Sequence, residues 1–242
     1  LTYRLLELVH ASKRDTAASF PLQEDHFYPS VGLCINRDDV YALAVKAGGN
    51  DDSHNHNDTG SITLLKNNQP ILIDVGVETY TKQTFSKDRY SIWTMRSVYH
   101  NISNFPPYEQ LADKEYQSRI LELEQGETTT ITLELKACYD RRCPLRSYKR
   151  TVTHSKGKEI ILSETVEGDV KPVLTLMSMH KPIVQENMIA LGKAAMLEIQ
   201  TPFQSITVEE IPITDARLRS VWPEKLYRIL IGYETDLIIR IQ

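Results

Sequence analysis

The sequence predicts a mainly β protein, a large antiparallel β-sandwich entered through a short N-terminal helix. Short apolar or alternating runs recur from Tyr28 to the C-terminus, with clear alternation in Thr130-Ile131-Thr132-Leu133-Glu134-Leu135. Turn clusters such as Ser155-Lys156-Gly157-Lys158 and Glu167-Gly168-Asp169 separate these runs at roughly the ten-residue spacing of sandwich strands. Helical periodicity is confined to the beginning. There Leu1, Leu5, Leu6, Leu8, Val9 and Ala11 form one apolar band, with Arg4, Glu7 and Lys13 outside it.

The bounds on the whole chain agree. With 242 residues, 41% of them hydrophobic, the chain can build one large all-β domain or two small ones. A net charge of −4 gives no global field that would draw nucleic acid. No window approaches the ~18 uninterrupted apolar residues of a membrane-spanning helix. Starting at Leu1, with no methionine or signal-like segment, the chain reads as mature or truncated protein. Its three cysteines leave at least one thiol unpaired, and Cys138 and Cys143 bracket either a small disulfide loop or two free thiols.

In chain order, a helix is expected over Leu1 to Arg14, then a loop broken by Pro21. Tyr28–Ile35 and Val40–Lys46 read as a hairpin around Asn36-Arg37-Asp38-Asp39. A second hairpin joins Ser61–Leu65 to Pro70–Asp74 through Lys66-Asn67-Asn68-Gln69. Val77 to Asn104 fits neither period and reads as a long irregular excursion, with Tyr80, Phe85, Tyr90, Trp93 and Tyr99 among Lys82, Lys87, Arg89 and Arg96. Aromatic faces and guanidinium forks in one loop suit an anionic saccharide; the alternative is a basic loop whose tyrosines pack on the sheet. Strands then follow over 116–124, 128–137, 147–153, 159–166, 173–179, 188–191, 195–200, 205–210 and 227–242.

The chemistry concentrates in Gly48-Gly49-Asn50-Asp51-Asp52-Ser53-His54-Asn55-His56-Asn57-Asp58-Thr59-Gly60, with Asp74 and His100 downstream. In a strand, residues i and i+2 share a face, so His54 and His56 are expected to converge. The second hairpin folds Asp74 back towards Ser61, at the same end as the histidines. Imidazoles and a carboxylate so placed make a ligand set for zinc. Alternatively, Asp74 caps the turn after its strand and Asn55-His56-Asn57-Asp58 is a polar loop.

His54-Asn55-His56-Asn57-Asp58-Thr59-Gly60-Ser61-Ile62, Pro70–Gly76 and Tyr99-His100-Asn101 together resemble the heparinase II/III-like polysaccharide lyases. The likeness is specific over about Tyr28 to Gln110 and diffuse beyond. It implies a β-sandwich domain over 21–242, with residues 1–20 as a helical remnant of, or linker from, an (α/α) toroid absent from this chain. It implies zinc held by His56, Asp74 and His100, and a catalytic His54 that faces the cleft. Tyr80, Arg89, Tyr90 and Arg96 are then substrate contacts. The implied reaction is β-elimination from a uronic-acid polysaccharide, heparin/heparan sulfate-like or alginate-like, with the base and acid on the toroid. On that reading this chain by itself is inactive. The resemblance further implies a bacterial, periplasmic or secreted protein and a possible homodimer. A non-catalytic carbohydrate-binding domain and a structural one are the alternatives.

Overall fold

A computed structural model of the protein describes residues 25–242. The helix expected over Leu1 to Arg14, and the 1–20 linker with it, lie outside the described residues.

In chain order the strands are β1 (His26–Tyr28), β2 (Leu33–Arg37), β3 (Tyr41–Lys46), β4 (Gly49–Asn50), β5 (Ile62–Lys66) and β6 (Gln69–Leu72). After the excursion come β7 (Ser103–Asn104), β8 (Asp113–Gln117), β9 (Arg119–Glu124), β10 (Thr128–Glu134), β11 (Leu145–Ser155), β12 (Glu159–Gly168) and β13 (Val173–Ser178). Then β14 (Pro182–Gln185), β15 (Met188–Leu191), β16 (Ala195–Ile199) and β17 (Ser205–Pro212) lead to one helical turn, α1 (Ala216–Arg219). β18 (Lys225–Gly232) and β19 (Asp236–Ile241) follow.

These strands pair antiparallel into an eight-stranded sheet (β14-β15-β16-β19-β12-β11-β10-β9), a five-stranded sheet (β1-β2-β3-β5-β6) and a four-stranded sheet (β17-β18-β13-β7). A two-stranded ribbon, β4-β8, completes the set. Alternation along the strands decides which face goes inward. Tyr41, Leu43 and Val45 of β3, Ile131 and Leu133 of β10, and Ile160, Leu162 and Val166 of β12 are buried at every second position. With Leu174, Leu176, Ile229 and Ile231 they form a single core shared by the three larger sheets, which is a β-sandwich.

Both expected hairpins form. In β5–β6 the connection tightens to Asn67 and Asn68, at φ 49° and 61°, the pair of left-handed residues that a two-residue hairpin turn demands. In β2–β3, Asp38 Oδ1 accepts from the backbone N–H of Val40 and Tyr41 at 2.6 and 2.7 Å. Asp38 Oδ2 accepts from Gly157 N–H and contacts His154 Nε2 at 2.6 and 2.7 Å, so this turn is locked to the one between β11 and β12.

Where boundaries differ, a tertiary contact is responsible. The strand expected from Tyr28 is interrupted at Gly32, whose φ of 62° lets it approach Ala47 and Gly48 so closely that a Cβ would lie 2.4 Å from the Gly48 nitrogen. The run 116–124 divides at Ser118, which donates to the carbonyl of Gly48 through both N–H and Oγ. The final run divides after Gly232, because β18 belongs to the four-stranded sheet and β19 to the eight-stranded one. β14 had no period strong enough to predict it. Cys34, Cys138 and Cys143 are all buried free thiols, so the 138–143 loop is held by hydrogen bonds and not by a disulfide.

Candidate metal centre and substrate face

The polar run Asn55–Thr59 is buried, which is unusual for such residues unless each is hydrogen-bonded. Lys46 Nζ bonds both Asn55 Oδ1 and the Asp58 carboxylate. Asn57 N–H donates to Met95 O at 3.0 Å, and its side-chain amide to Gln110 O at 3.0 Å. Thr59 bonds Asn50 through Oγ1, while Gln110 brackets the Thr59 backbone by accepting from its N–H and donating to its carbonyl. The run is thereby fixed as a loop, not a strand.

That corrects the strand geometry expected for the two histidines. Asn55 N–H closes a turn onto Asp52 O at 3.0 Å, and His54 sits in it at φ 61°, exposed to solvent. His56 lies beyond the turn and is 9% exposed. The i, i+2 argument fails because it requires extended backbone. His54 faces outward and His56 inward.

Inside, His56, Asp74 and His100 converge, with one potential ligand atom from each lying within 4.8 Å of the others. The His56 and His100 rings are 5.3 Å apart at 50°. Asp74 serves in two ways: Oδ1 accepts from Gly76 N–H at 2.7 Å, capping its own turn, and Oδ2 lies 3.2 Å from His100 Nδ1. That second contact lacks hydrogen-bond geometry, so neither ring nitrogen of the fully buried His100 has a hydrogen-bond partner. An orphaned buried imidazole beside a carboxylate and a second imidazole is the arrangement a metal ion would complete.

The electrostatics follow from that proximity. Burial works against the Asp74 carboxylate, but His100 and His56 outweigh it and hold its pKa well below the usual range. Burial likewise opposes charge on His100, yet Asp74 prevails and raises its pKa. His56 is lowered, chiefly by burial, with Asp74 only partly offsetting. An anionic Asp74 and a neutral His56 are the forms that bind a metal.

The remaining predicted residues divide between two places. Tyr80 stands beside His54, with rings 6.5 Å apart and 15° from parallel, and Phe85 meets Tyr80 edge-on at 5.5 Å. Tyr90 and Arg96 instead line a groove of about 590 Å³ with Asn57, Tyr108, Glu109 and Arg142. Arg96 is paired there with Glu109. Arg89 lies in neither place as a free cation. Its guanidinium donates to the carbonyls of Asn55, at 2.9 Å, and Thr84, at 3.0 Å, tying the excursion to the histidine loop.

The residues that support this centre escaped sequence reasoning. Asn101, fully buried, donates to Ile62 O at 2.7 Å and Ile73 O at 3.0 Å and accepts from Met177 N–H at 2.6 Å. Arg150 reaches from β11 to donate to Gly60 O and Asn101 O, both at 2.6 Å, and pairs with buried Glu164. A signal for Arg150 was present: it falls on the inward phase set by Tyr148 and Val152, where a charge needs a partner.

The sequence profile described as heparinase II/III-like, C-terminal, matches residues 21–202. The chain belongs to this family. No curated protein sequence matches it significantly. Among solved structures it is similar to heparinase III, at TM-score 0.68 and 15% identity, over 93% of this chain and 37% of that one. A heparan sulfate lyase HepC mutant from Pedobacter heparinus gives 0.70 and 12%, over 98% and 38%. The heparinase III BT4657 gene product gives 0.70 and 14%, over 99% and 40%. At these identities the likeness is one of fold, and the chain spans less than half the length of each of these structures. The profile begins at residue 21, and the fold-level match extends past its end at 202.

Proposed function

We propose that this chain is the metal-binding β-sandwich of a polysaccharide lyase that cleaves a uronic-acid-containing polysaccharide by β-elimination. The observation that carries the reading is the convergence of His56, Asp74 and His100, with an exposed His54–Tyr80 pair whose histidine stands two residues along the chain from His56, in a member of the heparinase II/III-like family. The donor set of two imidazoles and one carboxylate fits zinc, whose ligands at about 2.1 Å sit roughly 3.4 Å apart. Bound there, zinc would stabilise the site by joining the histidine loop, the end of the second hairpin and the end of the excursion.

His54, on the outer side of its turn, would meet the substrate, either helping to neutralise the uronate carboxylate or moving a proton. Tyr80 would contact a sugar ring, and Tyr90 and Arg96 would line the approach. Elimination removes the C5 proton of the uronic acid as an electron pair forms the C4–C5 double bond. The 4-O-linked sugar leaves with a proton supplied to its oxygen. The general base and acid belong, on this reading, to an N-terminal toroid of the parent protein, so the sandwich alone is inactive. Heparan sulfate-like and alginate-like polymers are both compatible substrates, and a bacterial periplasmic or secreted setting and homodimerisation go with the same reading.

The test is the full-length protein on heparan sulfate, alginate and hyaluronan, followed by near-ultraviolet absorbance of the unsaturated product. Product formation that falls at least tenfold in His54→Ala is expected. Absence of any unsaturated product from all three polymers would sink the reading.

A further inference from the structure

The guanidinium groups that the sequence offers for an anionic sugar are spent, while Lys82 and Lys87 stay exposed on the excursion. Arg89 is committed to backbone carbonyls, and the groove is internally balanced because Arg96 pairs with Glu109 and Arg142 with Asp140. Another guanidinium stands at the exposed His54–Tyr80 pair. Arg217, from the α1 turn, lies over the Tyr80 ring with Cζ 4.8 Å from its centroid. Among the described residues its guanidinium takes part in no hydrogen bond or ion pair.

Its placement is built into the fold. Asp215 Oδ1 accepts from the backbone N–H of Arg217 and Leu218, both at 3.0 Å. Asp215 Oδ2 accepts from Thr79 N–H at 3.1 Å, so one carboxylate sets the register of both Arg217 and the residue before Tyr80. Beneath the turn, buried Leu218 packs with Ile73 and Val75, which flank Asp74. Trp222 Nε1 donates to Val75 O at 2.8 Å. The turn is therefore docked on the segment that carries the Asp74 ligand, and Arg217, Tyr80 and His54 share one frame. The turn that carries Asp215, Arg217, Leu218 and Trp222 lies beyond residue 202, where the family profile ends.

We propose that Arg217 is a substrate-binding residue that grips an oxyanion of the polysaccharide, a carboxylate or a sulfate, on the sugar bound beside Tyr80 and His54. This deepens the lyase reading and rests on it. A guanidinium held against an aromatic face keeps its planar donor fork oriented, and that fork matches an oxyanion through two parallel hydrogen bonds. Arg217 thus offers a guanidinium fork at the exposed His54–Tyr80 pair, whereas the fork of Arg96 in the groove is already paired.

The experiment compares the full-length wild type with Arg217→Ala and Arg217→Lys on heparan sulfate and on its desulfated, N-acetylated form. Turnover and equilibrium binding are both measured, with melting temperature as the folding control. Arg217→Ala is expected to raise KM and Kd by about tenfold to a hundredfold with kcat little changed, and Lys to recover part of the loss. A loss on both polymers assigns the carboxylate, and a loss on the sulfated polymer alone assigns the sulfate. Unchanged KM and Kd on both would overturn the proposal. So would a lowered melting temperature with a matching fall in kcat that Lys does not rescue. If the wild type turns over neither polymer, nor alginate or hyaluronan, the lyase reading fails. Binding then decides for Arg217: weaker binding in Ala sustains the oxyanion contact, and equal or absent binding ends it.

Discussion

The side-chain amide of Asn101 donates to the carbonyl of Ile73 at 3.0 Å, so the residue after His100 fixes the residue before Asp74. The same side chain binds Ile62 O and Met177 N–H, and no part of it is exposed. Asn101→Ala would leave three buried backbone groups unpaired, a loss of about 3 kcal/mol or more in chelator-treated protein. Urea denaturation gives that number. Metal content should fall in the same variant, because two of the three ligands lose their common anchor; full occupancy at wild-type affinity would refute the anchoring role.

Arg150 and Glu164 form a buried pair whose other donor serves Gly60 and Asn101. Arg150→Met strands a buried carboxylate and is expected to cost about 3–5 kcal/mol. The double variant Arg150→Met/Glu164→Leu removes the stranded charge and should recover part of the loss, which a double-mutant cycle reads directly. Strict additivity of the two substitutions would show that the pair is not coupled.

About one zinc per chain is expected by plasma mass spectrometry, and both His56→Ala and His100→Ala should lose it. Binding needs neutral imidazoles, so protons compete with the metal. His100 is raised by Asp74 against the opposing effect of burial, so competition begins above the ordinary histidine value of about 6.5. Zinc titrations at descending pH should show affinity already weakening on approach to that value. A pH-independent affinity from 8 to about 5.5 would contradict the ligand assignment.

Acid stability has a separate determinant at the β2–β3 turn. Burial raises the Asp38 carboxyl, but the N–H groups of Tyr41, Gly157 and Val40, with His154, more than reverse this and lower it. A depressed carboxylate contributes stability that is full above its unfolded value of about 3.8 and fades as pH falls through its folded value. Melting temperature should therefore drop below about pH 4, and Asp38→Asn should be less stable at neutral pH and flatter in that acid range. Parallel curves for the two proteins would assign the acid loss to other groups.

Much of this was readable from the chain. Alternation and turn residues identify the principal strands, because a half-buried strand must place apolar groups at every second position, as Tyr41, Leu43 and Val45 do. His54, His56, Asp74 and His100 could be named as candidate ligands because metal-binding chemistry is limited to a few residue types, and the family resemblance narrowed them to the last three. Strand boundaries at Ser118 and Gly232 were not readable, since each depends on a partner distant in sequence.

By itself the sequence determined the β-sandwich class, the two hairpins around the polar run and four candidate ligand groups, His54, His56, Asp74 and His100. Each follows from local pattern or side-chain type. The resemblance implied separate roles for His54 and His56, but only the tertiary structure shows the turn that puts His54 outward and His56 inward. Local spacing could not show that, because the buried network of Lys46, Asn50, Asn57 and Gln110 bends the segment out of a strand. Tertiary structure also brought Arg217 to Tyr80. Their meeting depends on Asp215 and Trp222 bonding backbone groups well over a hundred residues earlier, contacts with no periodicity to betray them.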